Sequence, residues 1–181
     1  MESLRFIKRH LLSIIFACVA VYIMILIFSF SAQTGEVSSG VSAGVSRTIA
    51  RLIVGGFSEL SEAEKLLKIE ALVPIVRKTA HFLVYCALGF FSFLATKTFF
   101  RESRRTFPAK KGFIGVSAFC LLYAASDEIH QLFVSERSGN GLDVLLDFCG
   151  ALVGIGLAFF VFSLFVKVFN KRAKNAEKYQ K

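Results

Sequence analysis

"SDEIHQLFVSERSGNGLDVLLDFCG", residues 126–150, places a polar cluster between two strongly apolar stretches of the chain. The members that matter most are Asp127, Glu128, His130, Gln131, Arg137, Asp143 and Asp147. The flanking segments, 113–134 and 142–166, are apolar enough to cross a membrane as helices. What the cluster does therefore depends on which side of the membrane it faces and on how deep it lies.

Composition places the whole chain in a membrane. Of its 181 residues 55% are hydrophobic, and the mean hydropathy of +0.61 is far above that of an ordinary soluble domain. About 20 apolar residues cross the roughly 30 Å of hydrocarbon as a helix, and four windows approach or exceed that length: 11–30, 79–100, 113–134 and 142–166. We predict an all-α integral membrane protein, a four-transmembrane-helix bundle forming a single domain over residues 1–181.

The first span and the cysteines have simple interpretations. Basic residues precede the span at 11–30, as in a secretory signal, but its apolar run exceeds the roughly 7–15 residues of a cleaved signal. We therefore expect a retained anchor.

The four cysteines fall one in each span without CxxC or Cys/His spacing, which favours apolar packing over a disulfide framework or a zinc site.

The unequal distribution of charged residues predicts which side of the membrane each connection and each tail faces. The two tails and the connection at 97–111 hold 15 of the 22 Lys and Arg residues, while 10 of the 13 acids lie on the opposite side. Because flanking Lys and Arg are retained inside, both termini should be cytoplasmic, including the tail at 167–181. Residues 31–78 and 135–141 should lie outside. The basic tail lacks interleaved aromatic residues, so we expect it to contact lipid head groups and not nucleic acid.

The long outer connection, 31–78, contains two kinds of sequence. Residues 34–48 are rich in Gly and Ser, which predicts an irregular loop. Ser61 and Glu64 match a capping box, and apolar residues at helical spacing follow, so an amphipathic helix should begin there and end at Pro74. Whether this helix lies on lipid or caps the bundle is left open.

The positions of the polar residues along three of the spans place them at a similar depth in the membrane. At about 1.5 Å per residue, Asp127 lies roughly 10 Å and Asp147 roughly 8 Å below the outer ends of their spans. Arg77, His81 and Tyr85 form a stripe at i, i+4 and i+8 that enters from the same edge.

On the third span, Asp127, His130, Gln131 and Val134 share a helix face, whereas Glu128 is turned about 100° away. On the fourth span two carboxylates, Asp143 and Asp147, lie one turn apart. Crowded acids at this depth need a cation, and we expect Arg77 or Arg137 as their counter-ion.

A GxxxG spacing follows at Gly150 and Gly154, which lets a neighbouring helix approach closely. Such an approach would crowd the acids of the fourth span further.

Three segments resemble the signature regions of the VanZ-like family: "FSFSAQTGEVS" (28–38), "RKTAHFLVYCALG" (77–89) and the region 126–154. These are small bacterial membrane proteins, some linked to resistance to teicoplanin, a lipoglycopeptide antibiotic. The resemblance implies functional roles for Ser31, Gln33, Arg77, Lys78, His81, Tyr85, Asp127, Glu128, Gln131, Arg137, Asp143 and Gly150. One departure is Asp147, where the family spacing leads us to expect Asn.

The first functional hypothesis is binding. An outward-facing polar pocket would hold the head group of a lipid or of a lipid-linked cell-wall precursor, or a lipoglycopeptide, and thereby affect antibiotic susceptibility. The predicted ligand-binding residues are Gln33, Arg77, Lys78, His81, Tyr85, Asp127, Glu128, Gln131, Arg137, Asp143 and Asp147. No cofactor and no metal site are predicted, and the oligomeric state is left open.

The alternative is a membrane-embedded hydrolase or transferase acting on an envelope lipid. Its acid-base or metal chemistry would use His81, Asp127, Glu128 or His130, although the chain has no HExxH, GxSxG or Gly-rich phosphate loop. A purely architectural role also stays open, because buried acid-base pairs often only join helices. A transporter is disfavoured, because the polar groups lie in the outer third and no internal repeat is present.

Overall fold

The computed structural model describes residues 2–102, 109–137 and 139–178, and side chains from His10 to Arg101, Lys110 to Arg137 and Gly139 to Val168. Within these ranges the chain is helical, without strands, which confirms the predicted all-α membrane protein. The elements are α1 Glu2–Ser31, α2 Gly35–Ile53, a 3₁₀ turn Phe57–Glu59, α3 Glu62–Glu102, α4 Ala109–Gln131 and α5 Gly141–Lys178.

Four of these helices are long and apolar enough to cross a membrane, so the protein is a multi-pass membrane protein. The candidate spans are His10–Ser31, Glu62–Arg101, Lys110–Gln131 and Gly141–Val168. Each contains most or all of one predicted window. Helix α5 continues through Lys178, beyond the predicted end at 166. Residues 103–108 of the basic connection and residues 179–181 of the tail lie outside the described residues.

Helix α3 is the centre of the bundle and packs against each of the other four α-helices. Its 41 residues correspond to about 60 Å of helix, twice the roughly 30 Å of bilayer hydrocarbon. Its second half therefore suffices to cross the membrane. Its first half extends past the end of the bundle that carries the α1–α2 and α4–α5 connections, which we call the upper face.

Helices α3 and α5 touch backbone to backbone. A Cβ atom added to Gly150 or Gly154 of α5 would overlap the carbonyl oxygen of Phe82 or Cys86, and one added to Gly89 of α3 would overlap that of Ala151. The predicted GxxxG contact is confirmed. Since lipid supplies little hydrophobic driving force between helices, this close packing is a main source of bundle stability.

Residues 35–48 belong to α2, so the prediction of an irregular loop over 34–48 was wrong. Thr34 caps α2, its Oγ1 accepting a hydrogen bond from the Val37 amide at 3.4 Å. The buried face of α2 consists of small residues at helical spacing: Gly35, Ser38, Ser42, Ser46 and Ala50. Small side chains allow a close approach to α3, and this packing outweighs the weak helix propensity of Gly and Ser.

The predicted helix end at Pro74 was also wrong, because α3 runs through this residue. The capping box at its start is confirmed: the Ser61 amide donates to Glu64 Oε2 at 2.9 Å, and the Glu64 amide donates to Ser61 Oγ at 3.3 Å. Pro74 lies on the exposed side of the helix. On the packed side Leu72 contacts a small core of Ala50, Phe57 and Ile69.

The outer connection is thus a helical hairpin of α2 and the first half of α3, residues 35–77, which we call the upper hairpin. Its two helices enclose their own small core. The predicted helix that begins at Ser61 is the first half of α3, and α2 adds a second helix to this connection.

Candidate functional site

A polar cavity of about 270 Å³ lies at the upper face where α3, α4 and α5 meet. It is lined by Arg77, Lys78, His81, Glu128, Gln131, Glu136, Arg137, Asn140, Asp143, Leu146 and Asp147. Eight of the eleven predicted ligand-binding residues are in this wall. Three helices therefore do bring their polar groups to one level.

A second, apolar cavity of about 170 Å³ adjoins the first on the side of α1 and α2. Two further predicted residues, Gln33 and Tyr85, line it. Arg77, His81 and Arg137 line both cavities and form the wall that they share. A charged compartment and an apolar compartment thus lie side by side at the same depth.

Asp127 ties α4 to the end of α1. The Ser31 hydroxyl donates to Asp127 Oδ2 at 2.8 Å, and Gln131 Nε2 donates to the same oxygen at 3.2 Å. Only 4% of Asp127 is exposed. Because α4 ends at Gln131 and not at 134, Asp127 lies about 6 Å from the helix end, shallower than the sequence predicts.

The two acids of α5 have different surroundings. Asp143 Oδ1 forms an ion pair with Lys78 Nζ at 2.6 Å, and both side chains are partly exposed. Asp147 is only 1% exposed, and within the described ranges neither of its oxygens accepts a hydrogen bond. His81 Nδ1 lies 3.5 Å from Asp147 Oδ2, a distance too long for a good hydrogen bond.

The predicted arginine counter-ion was therefore wrong. Lys78, one residue beyond Arg77, is turned about 100° further around α3 and so reaches α5. Arg77 lines the cavity wall, and no described residue forms a hydrogen bond or an ion pair with it.

Arg137 binds the C-terminal end of α1 and not the acids. Its guanidinium donates to the Phe30 and Gln33 carbonyl oxygens at 3.0 and 3.1 Å, and to Gln131 Oε1 at 3.3 Å. Burial lowers the pKa of Arg137, and the nearby Arg77 charge acts in the same direction. A guanidinium nevertheless stays protonated at physiological pH.

Glu128, a predicted ligand-binding residue turned about 100° from Asp127 around α4, also lines the cavity and is 7% exposed. The turn after α4 brings the Asn140 amide to Glu128 Oε2 at 2.9 Å. Asn140 also caps α5, since its Oδ1 accepts from the Leu142 amide at 3.0 Å. The sequence reasoning missed Asn140, although Asn directly before a helical pattern is a start signal.

Glu136, also missed, joins the cavity to the upper hairpin. Its Oε2 accepts a hydrogen bond from the Glu36 amide at 3.0 Å, in the first turn of α2, where the helix dipole favours an anion. Its φ of 59° lies in the left-handed region that non-glycine residues rarely adopt. Gly35 packs so closely that an added Cβ would overlap the Glu136 carbonyl oxygen.

His130, a candidate acid or base, does not line either cavity. Its ring stacks on Phe28 of α1, with 4.5 Å between the ring centroids. His81, Asp127 and Glu128 are thus the catalytic candidates that lie at or beside the cavity.

The model of the VanZ/LLP1 family matches residues 16–165. The chain belongs to the VanZ/LLP1 family. The resemblance inferred from the three signature segments is confirmed, and the VanZ/LLP1 match includes every residue that lines the two cavities. No curated protein and no solved structure gives a significant match.

Proposed function

We propose that this VanZ/LLP1 protein binds the polar head group of a lipid, or of a lipid-linked envelope precursor, in its polar cavity. The observation that carries the proposal is the wall shared by the two cavities. A head group in the polar cavity would place its acyl or prenyl chain in the apolar one, across Arg77, His81 and Arg137. Amphiphilic ligands need such a junction.

Arg77 is the best candidate for the contact with a phosphate or carboxylate. Lys78 is already paired with Asp143, and Arg137 with backbone carbonyl groups. Arg77 keeps its guanidinium free of hydrogen bonds and ion pairs across the described part of the chain. Arginine binds planar and tetrahedral oxyanions with two parallel hydrogen bonds, which favours it as the anchor of the head group.

We further propose that the upper face lies outside a bacterial cell and that both termini are cytoplasmic, as the Lys and Arg distribution indicates. A ligand held at the upper face then belongs to the outer leaflet. By holding such a molecule the protein alters the access of glycopeptide or lipoglycopeptide antibiotics to their membrane-bound targets.

The decisive experiment compares two arginine variants. The purified protein in nanodiscs is titrated with a short-chain fluorescent phosphatidylglycerol, with phosphatidylcholine of the same chain length as reference. We expect Arg77→Ala to weaken phosphatidylglycerol binding at least about tenfold, a loss typical of a charge-assisted contact. Arg51→Ala, an exposed residue of the upper hairpin, is the control. Equal binding by both variants contradicts the proposal.

A cellular test addresses the antibiotic. In a strain where deleting the gene changes teicoplanin susceptibility, Arg77→Ala at unchanged membrane abundance should reproduce the deletion, and Arg51→Ala should not. Wild-type susceptibility in the Arg77→Ala strain counts against a role for the cavity.

A second candidate function is a membrane-embedded hydrolase or transferase acting on an envelope lipid. It is favoured by one observation, the 3.5 Å approach of His81 Nδ1 to buried Asp147 at the cavity wall. A base oriented by an acid has this arrangement. Turnover of phosphatidylglycerol in the same nanodiscs, abolished by His81→Gln, would favour this candidate over binding alone.

A further inference from the structure

We propose that His81, Asp127 and Asp147 form a binding site for one divalent cation that accepts mixed imidazole and carboxylate ligands, such as Zn²⁺ or Mn²⁺. The three residues come from α3, α4 and α5. They are too far apart in sequence to form a recognisable ligand motif, which is why the sequence predicts no metal site. This site does not depend on the proposed lipid binding.

The geometry brings one ligand atom from each residue together. A ring nitrogen of His81 and one carboxylate oxygen from each aspartate all lie within 4.8 Å of one another. Around a tetrahedral cation with bonds of about 2.0–2.2 Å, neighbouring ligand atoms are about 3.3–3.6 Å apart. Side-chain rotations that move these atoms by about 1 Å complete the first three positions.

Asp147 supplies independent support. It is 1% exposed, and neither carboxylate oxygen has a hydrogen-bond donor among the described residues. Burying a carboxylate without a hydrogen-bond donor is strongly unfavourable. A metal ion bound between Asp147 and His81 is a partner that this position allows.

A divalent cation would balance the charges of these side chains. Asp127 takes its hydrogen bonds from the neutral side chains of Ser31 and Gln131, both on Oδ2, so Oδ1 remains open to a ligand bond. Two carboxylates, a neutral imidazole and a divalent ion sum to zero charge. The donors to Asp127 would also orient it, as outer-shell hydrogen bonds do at known metal sites.

An ion would reach the three ligands through the polar cavity. His81 and Asp147 line this cavity. The remaining coordination positions are left to water or to an oxygen of a bound molecule, as in sites with three protein ligands.

The test uses the full-length protein in detergent, treated with EDTA and dialysed against Zn²⁺ or Mn²⁺ without added lipid. We expect one bound equivalent per chain by mass spectrometry of the metal, and a higher Tm by circular dichroism. Asp147→Asn and Asp127→Asn should each lower the affinity at least about tenfold. Asp143→Asn is the matched control, because Asp143 belongs to the same cavity but is paired with Lys78.

Absence of a stoichiometric ion in the wild-type protein overturns the proposal, as does an equal loss in Asp143→Asn and Asp147→Asn. A readout that needs no variant is Co²⁺ loading of the wild type, which should give visible d–d absorption that Zn²⁺ abolishes. Arg77→Ala should bind the metal normally. A failure of the lipid proposal and a failure of the metal proposal therefore give different results.

Discussion

The Arg137 side chain connects three parts of the structure through its hydrogen bonds. From the turn between α4 and α5 it reaches the carbonyl groups of Phe30 and Gln33, and it also holds Gln131 of α4. Its planar set of donors serves three acceptors that point in different directions. The side chain that the sequence assigns to the acids is used instead to close the end of α1.

Arg137→Lys should therefore destabilise the protein. An ammonium on a flexible stem cannot serve the three acceptors together, and the loss of hydrogen bonds should lower the free energy of unfolding by about 1–3 kcal/mol. Unfolding by SDS in mixed micelles, followed by circular dichroism, measures the change. Arg77→Lys is the control, because the structure pairs no described residue with Arg77; an equal loss in the control would contradict the assignment.

The residue types of the site can be predicted from the sequence, but their pairings cannot. Hydropathy and spacing placed Arg77, Lys78 and Asp143 near one another, since helical periodicity fixes depth and approximate facing. Which cation meets Asp143 depends on the relative rotation of α3 and α5, which glycine contacts set. Adjacent residues differ by about 100° in direction, so an error of that size in the predicted facing of α3 exchanges Arg77 for Lys78.

At the element scale, the glycine contacts between α3 and α5 predict a sharp contrast within one helix. Gly154→Ala would press a methyl group into the backbone of Cys86 and should cost about 1–3 kcal/mol, because backbone atoms cannot move aside cheaply. Gly156→Ala, two residues on, meets nothing within 4 Å and should be neutral or slightly stabilising. The free energy of SDS unfolding of the two variants tests this, and similar values for both would refute the contact.

Docking of α2 can be tested in the same way. Gly35→Ala would overlap the Glu136 carbonyl group, so the start of α2 should detach from the turn after α4. We expect faster hydrogen exchange of the amides in the first two turns of α2. Gly40→Ala, which has open space around it, should leave their exchange unchanged or slower; unchanged exchange in Gly35→Ala would show that this approach is not needed.

Two features of the fold were not predicted from the sequence: helix α2, and the continuation of α3 through Pro74. Gly and Ser favour loops locally, and only the buried face of α2 against α3 makes them helical. Pro74 usually ends a helix, but its ring is on the exposed side while Leu72 and Ile69 stay packed. In both cases a tertiary contact outweighs a local preference, and no pattern within the segment reveals that contact.

At the scale of the whole molecule, four spans put both termini on one side of the membrane, and the charge distribution predicts that this side is the cytoplasm. Ser58→Cys, in the exposed 3₁₀ turn, should react with a membrane-impermeant maleimide added to intact cells. Lys110→Cys, at the start of α4, should react only after permeabilisation. The wild-type protein, whose four cysteines lie within spans, is the control; the reverse pattern would invert the topology.

Helix α3 joins the upper hairpin, the polar cavity and a membrane span in one element. This helix carries part of the upper hairpin at its first end, Arg77, Lys78 and His81 near its middle, and the crossing of the membrane beyond them. A stiff helix transmits a tilt along its length. A tilt of the upper hairpin would therefore move the cationic wall of the cavity against the acids of α4 and α5.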